Sequence, residues 1–220
     1  MAFSVLNVQE SEQFEPPCAA CKQPLLNPLA GAVCEHCWAS LRLAPRLIER
    51  YASDHVIAWA CAVDHYDGRM KDIIHSLKYE HRRSLAPPLG ALMRERGADL
   101  LRDADAVVPV PLHRRREYER GFNQADDLAR QLGVPVLPLL KRMMHTQSQI
   151  ELPKHRRQEN VKNAFAISHE PLGSFPSIVV LVDDVSTTGS TLEACARMLK
   201  SAGVKEVRAL TAARVANERR

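Results

Sequence analysis

Ile178-Val179-Val180-Leu181-Val182-Asp183-Asp184-Val185-Ser186-Thr187-Thr188-Gly189-Ser190-Thr191 is the stretch from which the rest of the chain can be read. Its opening run, Ile-Val-Val-Leu-Val, has the length and composition of a strand buried on both faces, as in the central parallel strands of α/β proteins. Beyond Gly189, Leu192, Cys195, Ala196 and Leu199 recur at helical spacing between Ser190 and Ala202, and Gly203 supplies a stop. The order is therefore strand, acidic pair, small polar turn, helix. Ligands of open α/β sheets bind at the carboxyl ends of strands, and a helix N-terminus there offers free N–H groups and a positive dipole end. The segment is expected to cradle a phosphate.

The acids narrow the kind of cradle. Two carboxylates beside a phosphate repel it unless they face something else, and ribose hydroxyls or a magnesium ion would satisfy them. Neither Gly-x4-Gly-Lys-Ser/Thr nor Gly-x-Gly-x-x-Gly is present, which counts against the P-loop and dinucleotide readings. Val179 to Thr191 resembles the ribose-5-phosphate site of type I phosphoribosyltransferases, whose motif is an apolar strand, two acids and a Thr-Thr-Gly-x-Thr loop. Ser186 is more polar than is usual there. Asp183 and Asp184 are expected to face solvent at the strand end, so that replacing both leaves the fold intact.

A second signal lies near the amino terminus. Cys18-x2-Cys21 and, twelve residues on, Cys34-x2-Cys37 present two thiolate pairs that can converge on one tetrahedral zinc. Pro24, Pro28 and Gly31 between them suit a small metal-stapled knuckle with little core of its own. Met1 to Pro17 is polar and acidic and does not read as a signal peptide, which counts against disulfides. Neither pair opens a helix after an apolar strand, as a redox motif would. Cys61 and Cys195 fall in apolar patterns and read as core.

At 220 residues, 45% hydrophobic and 25% charged, the chain reads as one main domain plus a small module. No apolar run approaches the roughly 18 residues of a membrane span, so the chain is not expected to be transmembrane. A formal charge of +4 argues only weakly for a polyanionic partner; its distribution matters more. The expected organisation is a polar tail over 1–17, a four-cysteine zinc ribbon over 18–44, a linker within Leu41 to Arg50, and the main domain over 51–220.

In that domain strands alternate with helices. Val56 to Tyr66 reads as a strand and Met70, Ile73, Ile74 and Leu77 as one face of a helix ending near Lys78. A second helix is expected over Leu85 to Leu101, with Pro87 and Pro88 in its first turn. Ala106 to Pro111 reads as a strand turned by proline, and Phe122, Ala125, Leu128, Ala129 and Leu132 as the helix after it. Val134 to Leu140, Ala164 to Ile167 and Val207 to Thr211 complete the strands. This order gives a doubly wound, mostly parallel sheet. Two polar loops, Leu112 to Gln124 and Lys141 to Asn163, fall where such a sheet presents its ligands, and each has more bases than acids. The longer, with Gln147, Gln149, Lys154, Arg156, Arg157, Asn160 and Lys162, has the length of a lid or binding segment. Arginine forks in either would neutralise the rest of a polyphosphate.

Together, the cysteine pairs, Val108-Pro109-Val110-Pro111-Leu112, Arg120-Gly121-Phe122-Asn123-Gln124, Arg157-x2-Asn160-Val161-x2-Ala164-Phe165 and the Asp-Asp-Val-x-Thr-Thr-Gly-Ser-Thr loop resemble the ComF competence family, which includes proteins called GntX. After Lys78 the chain has Tyr79-Glu80-His81-Arg82 where the family often has a glycine, leaving the role of Lys78 open. The resemblance implies a type I phosphoribosyltransferase domain, amidophosphoribosyltransferase-like, behind a zinc ribbon, with 5-phosphoribosyl-1-pyrophosphate and magnesium as ligands. By position, Asp183 and Asp184 would hold the ribose hydroxyls and act catalytically, as carboxylates beside an oxocarbenium-like ribose while magnesium helps pyrophosphate leave. Thr187, Thr188, Gly189, Ser190 and Thr191 would hold the 5-phosphate, with Ser186 also among the residues binding the donor. Val110 and Pro111 would border the pyrophosphate, with Arg114 to Arg116 or the longer loop closing over it. The family name implies support of single-stranded DNA uptake on the cytoplasmic side of the membrane, with DNA or other uptake proteins meeting the basic loops and the ribbon. The alternative is a phosphoribosyltransferase acting on a nucleobase or amine without a DNA role. No acceptor pocket can be read from the residues.

Overall fold

The computed structural model describes residues 15–143, 164–169 and 174–216. A five-stranded sheet in the order β1-β2-β7-β6-β3 forms its centre. The strands are β1 (Leu47–Arg50), β2 (Trp59–His65), β3 (Ala106–Pro109), β6 (Ile178–Ser186) and β7 (Glu206–Arg214). The pairs β2–β7, β7–β6 and β6–β3 are parallel, and edge strand β1 alone is antiparallel. The remaining two strands, β4 (Leu140–Arg142) and β5 (Phe165–Ile167), form a separate antiparallel ribbon. The doubly wound, mostly parallel α/β sheet expected from the sequence is present.

Helices cover both faces. On one, α2 (Gly68–Tyr79), α3 (Ala86–Arg96) and α6 (Gln124–Ala129) bury Ile73, Leu77, Leu89, Met93 and Leu128 against Val180, Val182 and Leu210. On the other, α7 (Ser190–Ser201) buries Leu192, Cys195 and Leu199 against Val179, Leu181 and Ala209. The central strands are apolar throughout because both faces are covered. Each large aliphatic side chain buried this way contributes about 1.5–3 kcal/mol before the entropy of ordering is subtracted.

Several elements differ from their sequence reading. The helix expected over 85–101 is two pieces, α3 and α4 (Ala98–Leu101), hinged at Gly97, where a Cβ would lie 2.7 Å from the Leu210 side chain. The basic stretch after β3, expected as a loop, contains α5 (Arg114–Arg120). Phe122 precedes α6 instead of starting it, although it is buried as its apolar character requires. From Val134 to Leu140 only a bridge from Val136 to Val107 joins the main sheet.

The segment expected as a linker belongs to the folded body. Leu41 lies in α1 (Glu35–Leu43), and Leu47–Arg50 is β1, paired with β2 ahead of the domain start expected at 51. The cysteine module packs on the α3 side through Leu25, Val33, Trp38 and Leu41, in one apolar cluster with Trp59, Met70 and Leu92. Arg96 of α3 pins it by donating to the carbonyls of Arg42, at 2.9 Å, and Ala44.

Candidate functional site

Strand β6 does not stop at Val182; it carries both acids and ends at Ser186, with Asp183 in register with Thr211 and Ser186 with Arg214 of β7. Side chains alternate along a strand, so the two acids leave on opposite faces. Asp184 is turned toward α2, where Lys78 Nζ stands 2.7 Å from its Oδ2, with side chains only 15% and 4% exposed respectively. The expectation that both acids face solvent is therefore corrected: Asp184 is buried and half of an ion pair. Burial works against the Lys78 charge, but attraction to Asp184 outweighs it and raises the ammonium pKa. Asp183, on the α7 side, is partly buried, and its Oδ1 accepts the backbone N–H of Asp184 at 2.8 Å. Burial, and then the adjacent Asp184 charge, push its pKa up to about 8 against the pull of Lys78.

The turn beyond the acids exposes Thr187 and Thr188 and is closed by Gly189 in the left-handed region, φ 78°, as N-cap of α7. Thr188 Oγ1 and Ser190 Oγ are 2.8 Å apart, which folds the hydroxyls over the first turn. Thr191 lies in that turn, partly exposed. The opening N–H groups of a helix lack intrahelical carbonyl partners, and here they lie within a hydroxyl-rich turn. Such a turn can hold an anion with several oxygens.

Just past the end of β3, the Val110 N–H bonds to the Val182 carbonyl at 2.9 Å, and the Val110 carbonyl accepts from Asn123 Nδ2 at 3.1 Å. The Val110 side chain is buried, so it shapes the site through its backbone. Asn123 also N-caps α6, its side-chain oxygen accepting from Ala125 N at 3.0 Å. This double use explains Asn123 of the Arg-Gly-Phe-Asn-Gln motif, because it ties α6 to the end of β3.

Helix α5 stands over this edge with its basic residues divided. Arg114 lines a cavity of about 490 Å³ with Pro111 and Arg142. Arg116 lines another, of about 330 Å³, with Lys78, His81 and Arg120. Arg115 pairs with Glu119 at 2.8 Å. Tyr79 and Tyr118 are exposed nearby. Gln147, Gln149, Lys154, Arg156, Arg157, Asn160 and Lys162 lie outside the described residues.

The four amino-terminal cysteines converge: their sulfurs all lie within 4.8 Å of one another, with Cys21 and Cys34 at 3.8 Å. Four sulfurs held tetrahedrally about 2.3 Å from zinc would stand about 3.8 Å apart, so the donor set fits. Burial raises the Cys18 pKa, but backbone N–H groups of Cys21, Cys34 and Ala20 outweigh it and hold the thiol at about 6. Burial, with the neighbouring Cys34 and Cys21, pushes Cys37 to about 12. Cys34 caps α1 without a strand before it, unlike a redox motif. Cys61 and Cys195 are buried in the core, as their patterns suggested.

Residues 118–220 match the phosphoribosyl transferase domain family. Over 156 residues, 66% of this chain and 68% of the relative, the chain is 36% identical to Competence protein F of Haemophilus influenzae. The chain belongs to the ComF family. Other ComF-like relatives include DNA utilization protein YhgH of Salmonella typhimurium, 34% identical over 66% of this chain and 67% of that one. Competence protein ComFC of Streptococcus pneumoniae is 26% identical over 70% and 67%. Orotate phosphoribosyltransferase from Aeropyrum pernix, a solved structure, aligns with TM-score 0.37 and 19% identity over 78% of this chain and 86% of that one. Among the described residues of this ComF-family chain, no helix is long and apolar enough to cross a membrane.

Two residues at the site were not assigned from sequence. Lys78 ended an amphipathic helix with no visible partner, and only the fold brings it to Asp184. Arg142 lay at the start of a loop read as a whole; it is in β4, lies over the Phe165 ring at 5.4 Å and joins Arg114 at the cavity edge.

Proposed function

We propose that this ComF-family chain binds 5-phosphoribosyl-1-pyrophosphate with magnesium and that this binding serves the handling of incoming single-stranded DNA in the cytoplasm. The carrying observation is the junction at the end of β6, where a half-buried carboxyl, a hydroxyl-rich turn and the start of α7 follow one another within nine residues, Asp183 to Thr191. The turn from Ser186 to Thr191 suits the 5-phosphate. Asp183 suits the ribose hydroxyls or the magnesium shell, because Asp184 is already committed to Lys78. Arg114, which lines one cavity with Pro111, and Arg116, which lines another with Lys78, supply charge suited to the pyrophosphate. Bound magnesium would supply charge that eases departure of pyrophosphate. The chain would contribute the carboxyl that orients the ribose and the dipoles that fix the phosphate.

The DNA part of the reading is supported by the relatives' names, Competence protein F and DNA utilization protein. It is also supported by exposed Tyr79 and Tyr118 beside Arg116 and Arg120, a mixture of stacking surface and phosphate-neutralising charge. We assign zinc to Cys18, Cys21, Cys34 and Cys37 on the fit of the four sulfurs, and read the module over 18–44 as a structural ribbon that also offers a docking face for DNA or uptake proteins.

Transfer of the phosphoribosyl group to a nucleobase or amine is a second reading, favoured by the domain match over 118–220. The two separate in one experiment with purified protein. Binding of single-stranded oligonucleotide that weakens steeply with salt, without base-dependent pyrophosphate release, is expected for the first. Pyrophosphate release that depends on an added base, with no DNA binding, would overturn it in favour of the second.

A further inference from the structure

Beside the phosphate turn lies a cavity of about 220 Å³ that touches neither acid, nor Val110, nor Pro111. Its floor is the sheet itself. Register places Glu49 opposite Ala60, Ala60 opposite Ala209, Leu47 opposite Ala62 and Ala62 opposite Thr211. With side chains alternating along each strand, these residues share one face across β1, β2 and β7. Alanines at Ala60, Ala62 and Ala209 keep that face flat and leave the space that longer side chains would fill. Ile57 and Leu192 supply apolar walls, and Ser186 to Gly189 line it as well.

The rim decides the chemistry. Its charges already have partners: Arg214 pairs with Glu49, and Glu193 pairs with Arg197 at 2.6 Å. Tyr51 donates to Glu49 at 2.9 Å and stacks on His55, ring centroids 4.3 Å apart and planes 15° from parallel. An anionic ligand would meet two carboxylates, Glu49 and Glu193, against the already paired Arg214. A flat, uncharged ligand with donors and acceptors on its edge would lie on the alanines, meet the stacked rings, and bond to hydroxyls at Tyr51 and Thr211. The volume is below the roughly 300–1,000 Å³ of pockets for drug-sized ligands, which suits one ring system and excludes a whole nucleotide.

We propose that this cavity is a second small-molecule site, for a free nucleobase or a similar uncharged heterocycle. Ser186 to Gly189 line this cavity and also form the phosphate turn, so an occupant shares those residues with the donor site. Any coupling between the two sites is equal in both directions.

The test is calorimetric titration of the full chain, with its metal, against adenine, guanine, uracil and cytosine in turn. Each titration is repeated on Ala60→Leu, which fills the floor, and on Ala62→Val, a smaller change suited to a strand. We expect at least one base to bind at one site per chain and the filled variants to bind it about tenfold more weakly or not at all. Binding of 5-phosphoribosyl-1-pyrophosphate to the same variants should change by no more than about twofold. No base binding to the wild type, or binding that survives both substitutions, overturns the proposal; the latter places the base elsewhere. If sedimentation shows a dimer that dissociates in Ala60→Leu, the cavity is an interface between copies and the proposal also fails. Base binding without phosphoribosyl-pyrophosphate binding would sink the donor reading and leave this one standing.

Discussion

Lys78 and Asp184 form the pair on which the site's electrostatics turn. Both are nearly sealed from water, so removing one leaves the other as an uncompensated buried charge, at a cost of about 3–5 kcal/mol. Lys78→Met should therefore lower the urea midpoint substantially, and Lys78→Met with Asp184→Leu should recover much of the loss; equal stability of the single variant and wild type would refute the pairing. Asp183 carries the opposite expectation. Its pKa in the folded chain, about 8, lies above that of an ordinary carboxyl, so the folded state favours the protonated form. The resulting stability is fully present below the unfolded pKa and is lost as pH rises through the folded value. A ligand that requires the charged carboxylate must then release a proton on binding near neutral pH, and its affinity should rise toward pH 8. Titrations in buffers of different ionisation heat would detect that proton, and none released would mean Asp183 is already charged. The acids were legible as a motif because strand, acids and turn are contiguous. Their division was not, because it depends on β6 continuing to Ser186 and on a lysine far away in the chain.

Among the elements, the strongly periodic ones followed their sequence patterns: α2, α7 and β7 lie close to where the apolar spacing put them. The differences arise where tertiary contact overrides local pattern. Arg114 to Arg120 has no apolar face and read as a loop, yet His113 caps it, accepting from Arg115 N at 3.2 Å, and Gly121 closes it. In α3, Gly90 looks like a weak point in a helix, but a Cβ there would lie 2.5 Å from Cβ of Gln131. The glycine lets α3 approach the end of α6, the helix that Asn123 ties to β3. Gly90→Ala is expected to cost about 1–3 kcal/mol by overpacking despite its better helix propensity, measurable by urea denaturation. A stabilised variant would show that the approach is looser than described.

Over the whole molecule, the cysteine module and the sheet domain share one apolar cluster running from Leu25 and Trp38 to Trp59 and Met70. The four cysteines were legible from spacing alone. Their docking was not, because Arg96 grips backbone carbonyls at Arg42 and Ala44, and carbonyls carry no sequence signature. Shared packing predicts shared stability. Chelation under reducing conditions should release about one zinc per chain, lower the melting temperature, and raise amide exchange over 18–41 and in the adjoining α3. Exchange confined to the cysteine loops would show that the ribbon is an independent unit. The central claim concerns the turn after β6, and calorimetric titration with 5-phosphoribosyl-1-pyrophosphate and magnesium tests it most directly. The account predicts saturable binding at one site per chain that is lost in Asp183→Asn, a variant that keeps the wild-type fold. No binding by the wild type, or undiminished binding by the variant, would contradict it.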